Sequence, residues 1–313
     1  LRRDGRAATL ARVRMHDDQL TVSRRTVARL VGAQFPQWRG LPVRHVAAHG
    51  TVNAVYRVGD RLAARFPLQR DDPDAVRIRL EREAGAAREL RGRTRFPTPE
   101  PVGIGEPGFG FPVPWSVQTW IPGVVATDDD PGESVVFARD LADLITGMRA
   151  VDTRGRTFAG PGRGGRLQDH DAWVQTCLRR SEGLLDVPRL RRMWAAMRGL
   201  PRGTTRDVMS HGDLVPGNVL VAGGALAGVL DVGGFGPADP ALDLVGAWHL
   251  LASGPRGVLR QHLGTDDLEW DRGRAWAFEQ AVGLVWYYRR TNPVMSRLGE
   301  RTLARITADP PPG

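Results

Sequence analysis

The sequence predicts an α+β protein of two lobes, a small one built on an antiparallel sheet and a larger, mostly helical one. Three observations carry this. Alternating apolar runs broken by turn residues fill 41–67 and 115–120. Beyond Ile121-Pro122-Gly123, apolar residues recur at helical spacing instead. Within that later part, Ser210 to Asp239 reads as a strand end, a polar loop and a short hairpin. Strands gathered in one part of a chain and helices in another mark α+β architecture rather than alternating βαβ units. The small lobe is placed at 15–121 and the large one at 122–313. Met15-His16-Asp17-Asp18 reads as a natural start, so residues 1–14 are expected to be an extension without structure.

Composition is that of a globular chain: 313 residues, 41% hydrophobic and 25% charged. The longest apolar run, Ala281 to Tyr288, is far too short to span a bilayer. No charged-then-apolar leader is visible, and Cys177 is the only cysteine, so no internal disulfide forms. A cytoplasmic protein without a membrane partner is expected. The net charge is +9, and with no lysine in the chain all 44 basic residues are arginines. Pairs such as Arg24-Arg25, Arg179-Arg180 and Arg191-Arg192 are scattered over several helical segments. A nucleic-acid-binding surface gathers its charge into one stripe with aromatic neighbours, so no nucleic-acid partner is expected.

In chain order, Ser23 caps a short helix to about Gln34 that Phe35-Pro36 ends. Val43 to Ala47, Val55 to Val58 and Leu62 to Phe66 are strands, the last two joined by a Gly59-Asp60 hairpin turn. Gly50 to Asn53 forms a turn before the second. His45 and His49 lack a third ligand and are not read as a metal site. Asp72-Pro73 opens a helix with a cap residue followed by proline. Its apolar stripe contains Val76, Leu80, Ala87 and Leu90, and Glu83 lies on the same stripe. A carboxylate facing the core needs a partner.

Gly103-Ile104-Gly105-Glu106-Pro107-Gly108 matches a dinucleotide fingerprint by its letters. Pro107, Pro112 and Pro114 forbid the helix that such a fingerprint must open, so this is a hairpin loop. Trp115 to Trp120 is a strand, and the lobe boundary follows it. Helices are then expected at Ser134 to Ala150, with apolar positions from Val136 to Met148, and near Asp171–Arg180 and Pro188–Arg198. Thr157 to Arg166, with four glycines, is expected to be a flexible loop. Asp239-Pro240 repeats the cap-then-proline start for an apolar helix, Ala241 to Leu251, and Asp239 is read as its cap. Further helices cover Trp270 to Tyr288 and follow Pro293, and the Pro310-Pro311-Pro312 tail is expected to be disordered.

The stretch that carries chemistry is SHGDLVPGNVLVAGGALAGVLDVGGFGPAD. Asp213 and Asn218 sit five apart in a loop closed by Pro216-Gly217. From Asn218 two apolar runs flank an Ala222-Gly223-Gly224 turn, a hairpin that returns Asp231 to the neighbourhood of Asn218. One lone carboxylate, one amide oxygen and a second carboxylate then share one end of a rigid scaffold. Phosphoryl transfer from a nucleotide needs that set: a base facing the acceptor hydroxyl, and oxygen ligands holding Mg²⁺ against the phosphates. Asp213 suits the first role, and Asn218 with Asp231 the second.

HGDLVPGN followed by LDVGG resembles the catalytic and metal loops of the aminoglycoside phosphotransferase family, small-molecule kinases with a protein-kinase-like fold. The chain departs from the family's Asp-Phe-Gly with Asp231-Val232-Gly233, losing an aromatic plug and keeping the ligand. The resemblance, covering about Met15 to Ala308, implies that ATP or GTP lies in the cleft between the lobes. It implies that Gly50 and Asn53 belong to the loop over the phosphates, and that Arg65 replaces the usual strand lysine and pairs with Glu83. It places Gln118 and Trp120 at the hinge, where backbone groups hold the base.

The activity implied is Mg²⁺-dependent phosphorylation of a hydroxyl on a small molecule, an antibiotic by family, by a monomer or homodimer. Two alternatives stay open: a metabolite kinase acting on an amino alcohol or sugar, and an inactive nucleotide-binding protein. A polycationic aminoglycoside calls for carboxylates on the acceptor side. The candidates are Asp266, Asp267, Glu269, Asp271 and Glu279, of which the first four also suit the first turn of a helix. With Arg272, Arg274, Arg289 and Arg290 around them and +9 overall, a neutral or weakly charged acceptor is expected.

Overall fold

The computed structural model describes residues 19–46, 52–203 and 205–309. The extension at 1–14, the turn glycine Gly50 and the Pro310–Pro312 tail lie outside the described residues. The small lobe is a five-stranded antiparallel sheet in the order β1-β2-β3-β5-β4. Its strands are β1 (Val43–Val46), β2 (Asn53–Val58), β3 (Leu62–Pro67), β4 (Pro101–Gly105) and β5 (Trp115–Thr119). The Gly59-Asp60 turn sets the β2–β3 register, with Val55 opposite Arg65, and Arg65 in turn faces Ser116 on β5. Alternation then decides which side chains are buried. Ala64 and Phe66 enter the core with Tyr56, Trp115 and Val117, while Arg65 points to the other face.

Two helices complete this lobe. In α1 (Arg24–Gln34) the Ser23 hydroxyl accepts the Thr26 amide, and Val27, Leu30 and Val31 are buried. In α2 (Pro73–Leu90) the Asp72 carboxylate accepts the amides of Asp74 and Ala75, with Pro73 as first residue. Val76 and Leu80 pack in the small lobe's core, whereas Ala87 and Leu90 pack in the core of the large lobe. One helix therefore enters both cores, which ties the position of Glu83 to both lobes.

The large lobe begins at β6 (Val124–Val125), which pairs with β8 (Val219–Ala222). The hairpin of β8 and β9 (Ala225–Val229) turns at Gly223-Gly224, both at positive φ, as a tight turn of this hand requires. A second small pair joins β7 (Val208–Ser210) to β10 (Gly236–Ala238). Around these ribbons lie α3 (Val135–Arg149), α4 (Asp171–Arg180), α5 (Val187–Met197), α6 (Val245–Leu250), α7 (Ser253–Leu263), α8 (Asp267–Tyr287) and α9 (Pro293–Ala308). The helix at α8 is buried on nearly every side through its middle, from Trp270 to Val285. At Gly299 of α9 an added Cβ would sit 2.7 Å from the Ala281 carbonyl oxygen, so only glycine allows the two helices this approach.

The structure corrects four expectations. The segment after Asp239 is not one helix: Pro240–Leu244 forms a tight 3-10 stretch, and α6 follows as a short α-helix. Val136 is exposed rather than part of the α3 stripe, which begins at Phe137. Sequence reading left 252–266 unassigned, but α7 fills most of it and packs on α3. Residues 157–166 do form a loop, yet it is fastened at several points. The Phe158 amide donates to Asp207 (2.7 Å), and the Asp239 amide donates to the Gly164 carbonyl (2.8 Å). Among the described residues, no helix is long and apolar enough to cross a membrane.

Candidate active site

Asp213 stands in the loop between β7 and a 3-10 turn at Pro216–Asn218. The backbone approach to it is clamped. Buried Asp243, in the 3-10 stretch after Asp239, accepts the His211 amide with Oδ2 (3.0 Å) and the Gly212 amide with Oδ1 (2.8 Å). Gly212 has φ of 78°, a conformation that glycine adopts without cost. His211 is buried too. Its Nε2–H donates to the Leu230 carbonyl (2.9 Å), which leaves Nδ1 to accept the Asp213 amide (3.2 Å). One imidazole thus joins the Asp213 loop to the strand end that precedes Asp231.

The Asn218 amide nitrogen donates to Asp213 Oδ2 (2.9 Å) and to the Asp213 carbonyl (3.0 Å). Its amide oxygen therefore points away from Asp213. The Leu230 amide donates to the Asn218 carbonyl (2.7 Å), and Asp231 follows at once. Asp231 is a non-glycine residue at φ 55°, in the left-handed region that costs free energy and recurs at functional sites. The hairpin brings the backbone just before Asp231 to Asn218, and the Asp231 carboxylate meets Arg65.

Arg65 meets the same place from the sheet. Its Nη2 donates to Asp231 Oδ1 (2.8 Å), while Nη1 stands 3.6 Å from Glu83 Oε2. The Glu83 pairing expected from sequence is present as the longer of two contacts, and Asp231 is the nearer partner. Burial pushes the Glu83 carboxyl above its ordinary range, the Arg65 charge opposes that rise, and Asp231 adds to it. Gly233 explains the tight fit here: an added Cβ would lie 2.6 Å from Glu83 Cγ. Val232 is buried in the large lobe's core.

Of the remaining expected residues among those described, only Gln118 shares a cavity with Arg65 and Glu83. This cavity, of about 270 Å³, is also lined by Ser116 and Gly233. Asn53 is half-buried at the start of β2, opposite Pro67. The Trp120 amide donates to the Arg61 carbonyl (2.7 Å) and its ring carries Arg57 (4.9 Å), so its own N–H is not the donor a base would use. Asp239 is a structural cap: it accepts the Ala241 amide (3.2 Å) and is gripped by Arg272 and the Trp276 indole (3.0 Å).

Sequence reading missed Asp243, Arg163 and Gln280. Arg163, from the fastened loop, donates to Asp213 Oδ1 (3.1 Å), and Gln280 of α8 reaches the same oxygen. Asp243 had a usable signal: it is the one acid between Leu242 and Leu244 in an apolar segment. Arg163 and Gln280 had none that points to Asp213.

Mg²⁺ takes oxygen ligands and is commonly held by one or two carboxylates plus substrate phosphates. The donor set fits: Asp231 offers a carboxylate at the end of the hairpin, and Asn218 an amide oxygen turned from Asp213. Among the described residues, no group of three or more His, Cys, Asp or Glu forms a separate metal site.

Two lobes with a lone loop carboxylate, an amide and a hairpin-borne carboxylate facing a sheet cation form the architecture of a small-molecule phosphotransferase. The chain belongs to the APH phosphotransferase enzyme family, whose model matches residues 44–276. Solved structures agree on the fold. An aminoglycoside 2′-phosphotransferase-IIIa in complex with GDP is 18% identical, with 91% of this chain and 99% of that one covered and a TM-score of 0.67. The macrolide 2′-phosphotransferase MphH of Brachybacterium faecium is 21% identical, with 91% and 98% covered and a TM-score of 0.58. A type I macrolide 2′-phosphotransferase is 15% identical, with 90% and 98% covered and a TM-score of 0.59. No curated protein sequence matches the chain.

Proposed function

We propose that this phosphotransferase moves the γ-phosphoryl group of ATP or GTP to a hydroxyl of a small, neutral or weakly charged antibiotic. The observation that carries the reading is that Asn218 bonds Asp213, that the backbone bond from Leu230 to Asn218 brings Asp231, next in the chain, to the same hairpin end, and that Arg65 bonds Asp231. Asp213 accepts the proton of the attacking hydroxyl, and the bond from Asn218 aims its carboxylate. Arg65, braced by Glu83, supplies a fixed positive charge on the donor side. Mg²⁺, held by Asn218 and Asp231, would neutralise phosphate charge. Gln118 and the hinge after it border the base, while Gly50 and Asn53 belong to the phosphate loop.

Two observations support the choice of acceptor. A second cavity, about 370 Å³, opens beside the catalytic loop and is lined by Arg156, Phe158, Arg163, Ser210, Gly212 and Leu242 among others, without a carboxylate. The acids considered for a polycation are engaged elsewhere. Asp266 caps α8, Asp267 pairs with Arg260, Glu269 with Arg149 (2.6 Å), Asp271 with Arg274 (3.1 Å), and Glu279 with His170 (2.9 Å). A polycation would have to displace these partners and enter a positive field.

The test is kcat/KM for a kanamycin-type aminoglycoside, a macrolide and a nucleoside antibiotic with Mg·ATP and Mg·GTP, at low and high salt. A neutral macrolide or nucleoside is expected to be preferred. An aminoglycoside winning by orders of magnitude would overturn the acceptor assignment, and no consumption with any acceptor would overturn the kinase reading.

A further inference from the structure

Asp213 is held from a direction that no sequence motif covers. The Gln280 amide, on α8, contacts Asp213 Oδ1 through Nε2. An ionised carboxylate only accepts, so the nitrogen must face it and Oε1 must face away. On that far side Gln280 Oε1 lies 3.0 Å from His249 Nε2. An amide oxygen also only accepts, so Nε2 carries the ring hydrogen. The neutral ring then has its lone pair on Nδ1, 3.0 Å from the Thr302 hydroxyl, which donates to it. Every donor in the series therefore points toward Asp213: Thr302 to His249, His249 to Gln280, Gln280 to the carboxylate.

The surroundings keep this order fixed. His249 and Thr302 are wholly buried, and Gln280 nearly so. Burial pushes the His249 pKa down to about 3, Gln280 opposes that, and the charges of Arg163, Arg305 and Arg301 reinforce it. The ring stays neutral over the whole working range. The three residues come from α6, α8 and α9, elements that pack on one another in the large lobe's core. A buried polar series of this kind is favourable only when each member is satisfied.

We propose that Thr302, His249 and Gln280 form a buried relay that sets the orientation of the Asp213 carboxylate, making His249 and Gln280 positioning residues for phosphoryl transfer. The relay answers a specific need. Asp213 is 40% exposed at its side chain, and Arg163 at 3.1 Å pulls the same Oδ1 toward the loop at 157–166. Gln280 supplies a second donor from the rigid helical side, so the carboxylate is stretched between Asn218, Arg163 and α8. A glutamine amide is the same size at both ends, and only the His249 N–H tells them apart. Without that N–H the amide is free to present Oε1 to Asp213, and two oxygens would repel.

The inference rests on the kinase reading for its kinetic arm and is independent of it for its spectroscopic arm. In the first, Gln280→Leu, His249→Phe and His249→Gln are compared with the parent, using the best acceptor of the antibiotic panel and Mg·ATP. Gln280→Leu and His249→Phe should lose about 10–100-fold in kcat, with the ATP KM changed less than about twofold, since misaiming costs rate rather than binding. His249→Gln restores an N–H toward Gln280 and should recover most of the loss. Circular dichroism and ATP calorimetry establish that each variant is folded. A folded Gln280→Leu with parent-like kcat overturns the proposal, as does His249→Gln no better than His249→Phe.

In the second arm, ¹⁵N-histidine NMR on the parent protein should show, besides the Nε2–H ring of His211, a second ring in the Nε2–H form, and this one does not titrate between about pH 5 and pH 9. It should be lost in His249→Phe and perturbed in Gln280→Leu. An Nδ1–H form at His249, or titration within that window, overturns the relay even if no acceptor is found.

Discussion

Replacing Asp243 with asparagine should cripple the site without touching any group that meets a substrate. The two side chains are the same size, so packing against Leu242 and Leu244 is kept. Asp243 is 1% exposed and gives one oxygen to each of two backbone amides, at 3.0 Å to His211 and 2.8 Å to Gly212. Hydrogen bonds to charged groups contribute about 1.5–3 kcal/mol each, and a buried donor left unpaired costs about 1–3 kcal/mol. Asparagine keeps one oxygen and turns an NH₂ toward the other amide, so one bond is lost and two donors face each other. Relief of the buried charge offsets part of this. The net loss should be about 2–4 kcal/mol in urea unfolding.

Turnover should fall further than stability implies. The clamped amides precede Asp213 directly, and a shift of about 1 Å at a reacting group can remove about 10²-fold in rate. The measurement is kcat per folded molecule, at a temperature where the variant is folded by circular dichroism. Stability within about 0.5 kcal/mol of the parent would refute the clamp energetics. Lost stability with parent-like kcat would show that Asp243 holds the fold and not the aim of Asp213.

Asp213→Ala should lower kcat by about 10²–10⁴ while calorimetry still detects Mg·ATP binding, whereas Asp231→Ala should weaken that binding itself. Gly233→Ala drives a methyl into Glu83, so nucleotide affinity should drop about tenfold and the melting temperature should fall; adding Glu83→Ala should restore the melting temperature but not the affinity. Double-mutant cycles on nucleotide affinity should show a larger coupling for Arg65 with Asp231 (2.8 Å) than for Arg65 with Glu83 (3.6 Å), and equal couplings would contradict these distances. His170 has its pKa raised above 6.5, chiefly by its bond to Glu279. Its contribution to stability is therefore complete below that value and fades as pH rises through the folded-state pKa. His170→Gln should destabilise the protein most under mildly acidic conditions and least under alkaline ones, and a pH-independent difference would exclude the ion pair.

The parts of the fold legible in the sequence are those whose cause is local. Ser23, Asp72 and Ser134 each cap the helix expected after them, because capping needs only a side-chain oxygen and amides two or three residues on. The Gly223-Gly224 turn fixes the hairpin that carries Asp231 toward Asn218 for the same reason. Where local cause runs out, so does the reading. The stretch after Asp239 has a helical cap and apolar residues, yet its backbone tightens because Asp243 must reach back to His211 and Gly212 across the chain. Trp120 follows β5, but the Arg61 carbonyl takes the N–H that a base at a hinge would need, a fact of strand pairing that no spacing reveals.

One sequence rule reaches further than the motifs. Glu83 attracts attention because a carboxylate on an apolar stripe must have a partner, and it has two. Asp243, His249, Glu279 and Gln280 satisfy the same condition, each standing in an otherwise apolar helical segment. All four are buried: Asp243 ends on the backbone before Asp213, Gln280 on Asp213 itself and His249 on Gln280, while Glu279 holds His170. Burying a polar group unpaired costs free energy, so each must meet another polar group inside the lobe. The sequence can show that such partners are required. It cannot show that they converge on one carboxylate, because that convergence depends on how the 3-10 stretch, α6 and α8 pack around the loop. In the proposed mechanism the three motif residues, Asp213, Asn218 and Asp231, supply the reacting and ligating atoms, and residues far from them in sequence hold the loop and the Asp213 carboxylate in place.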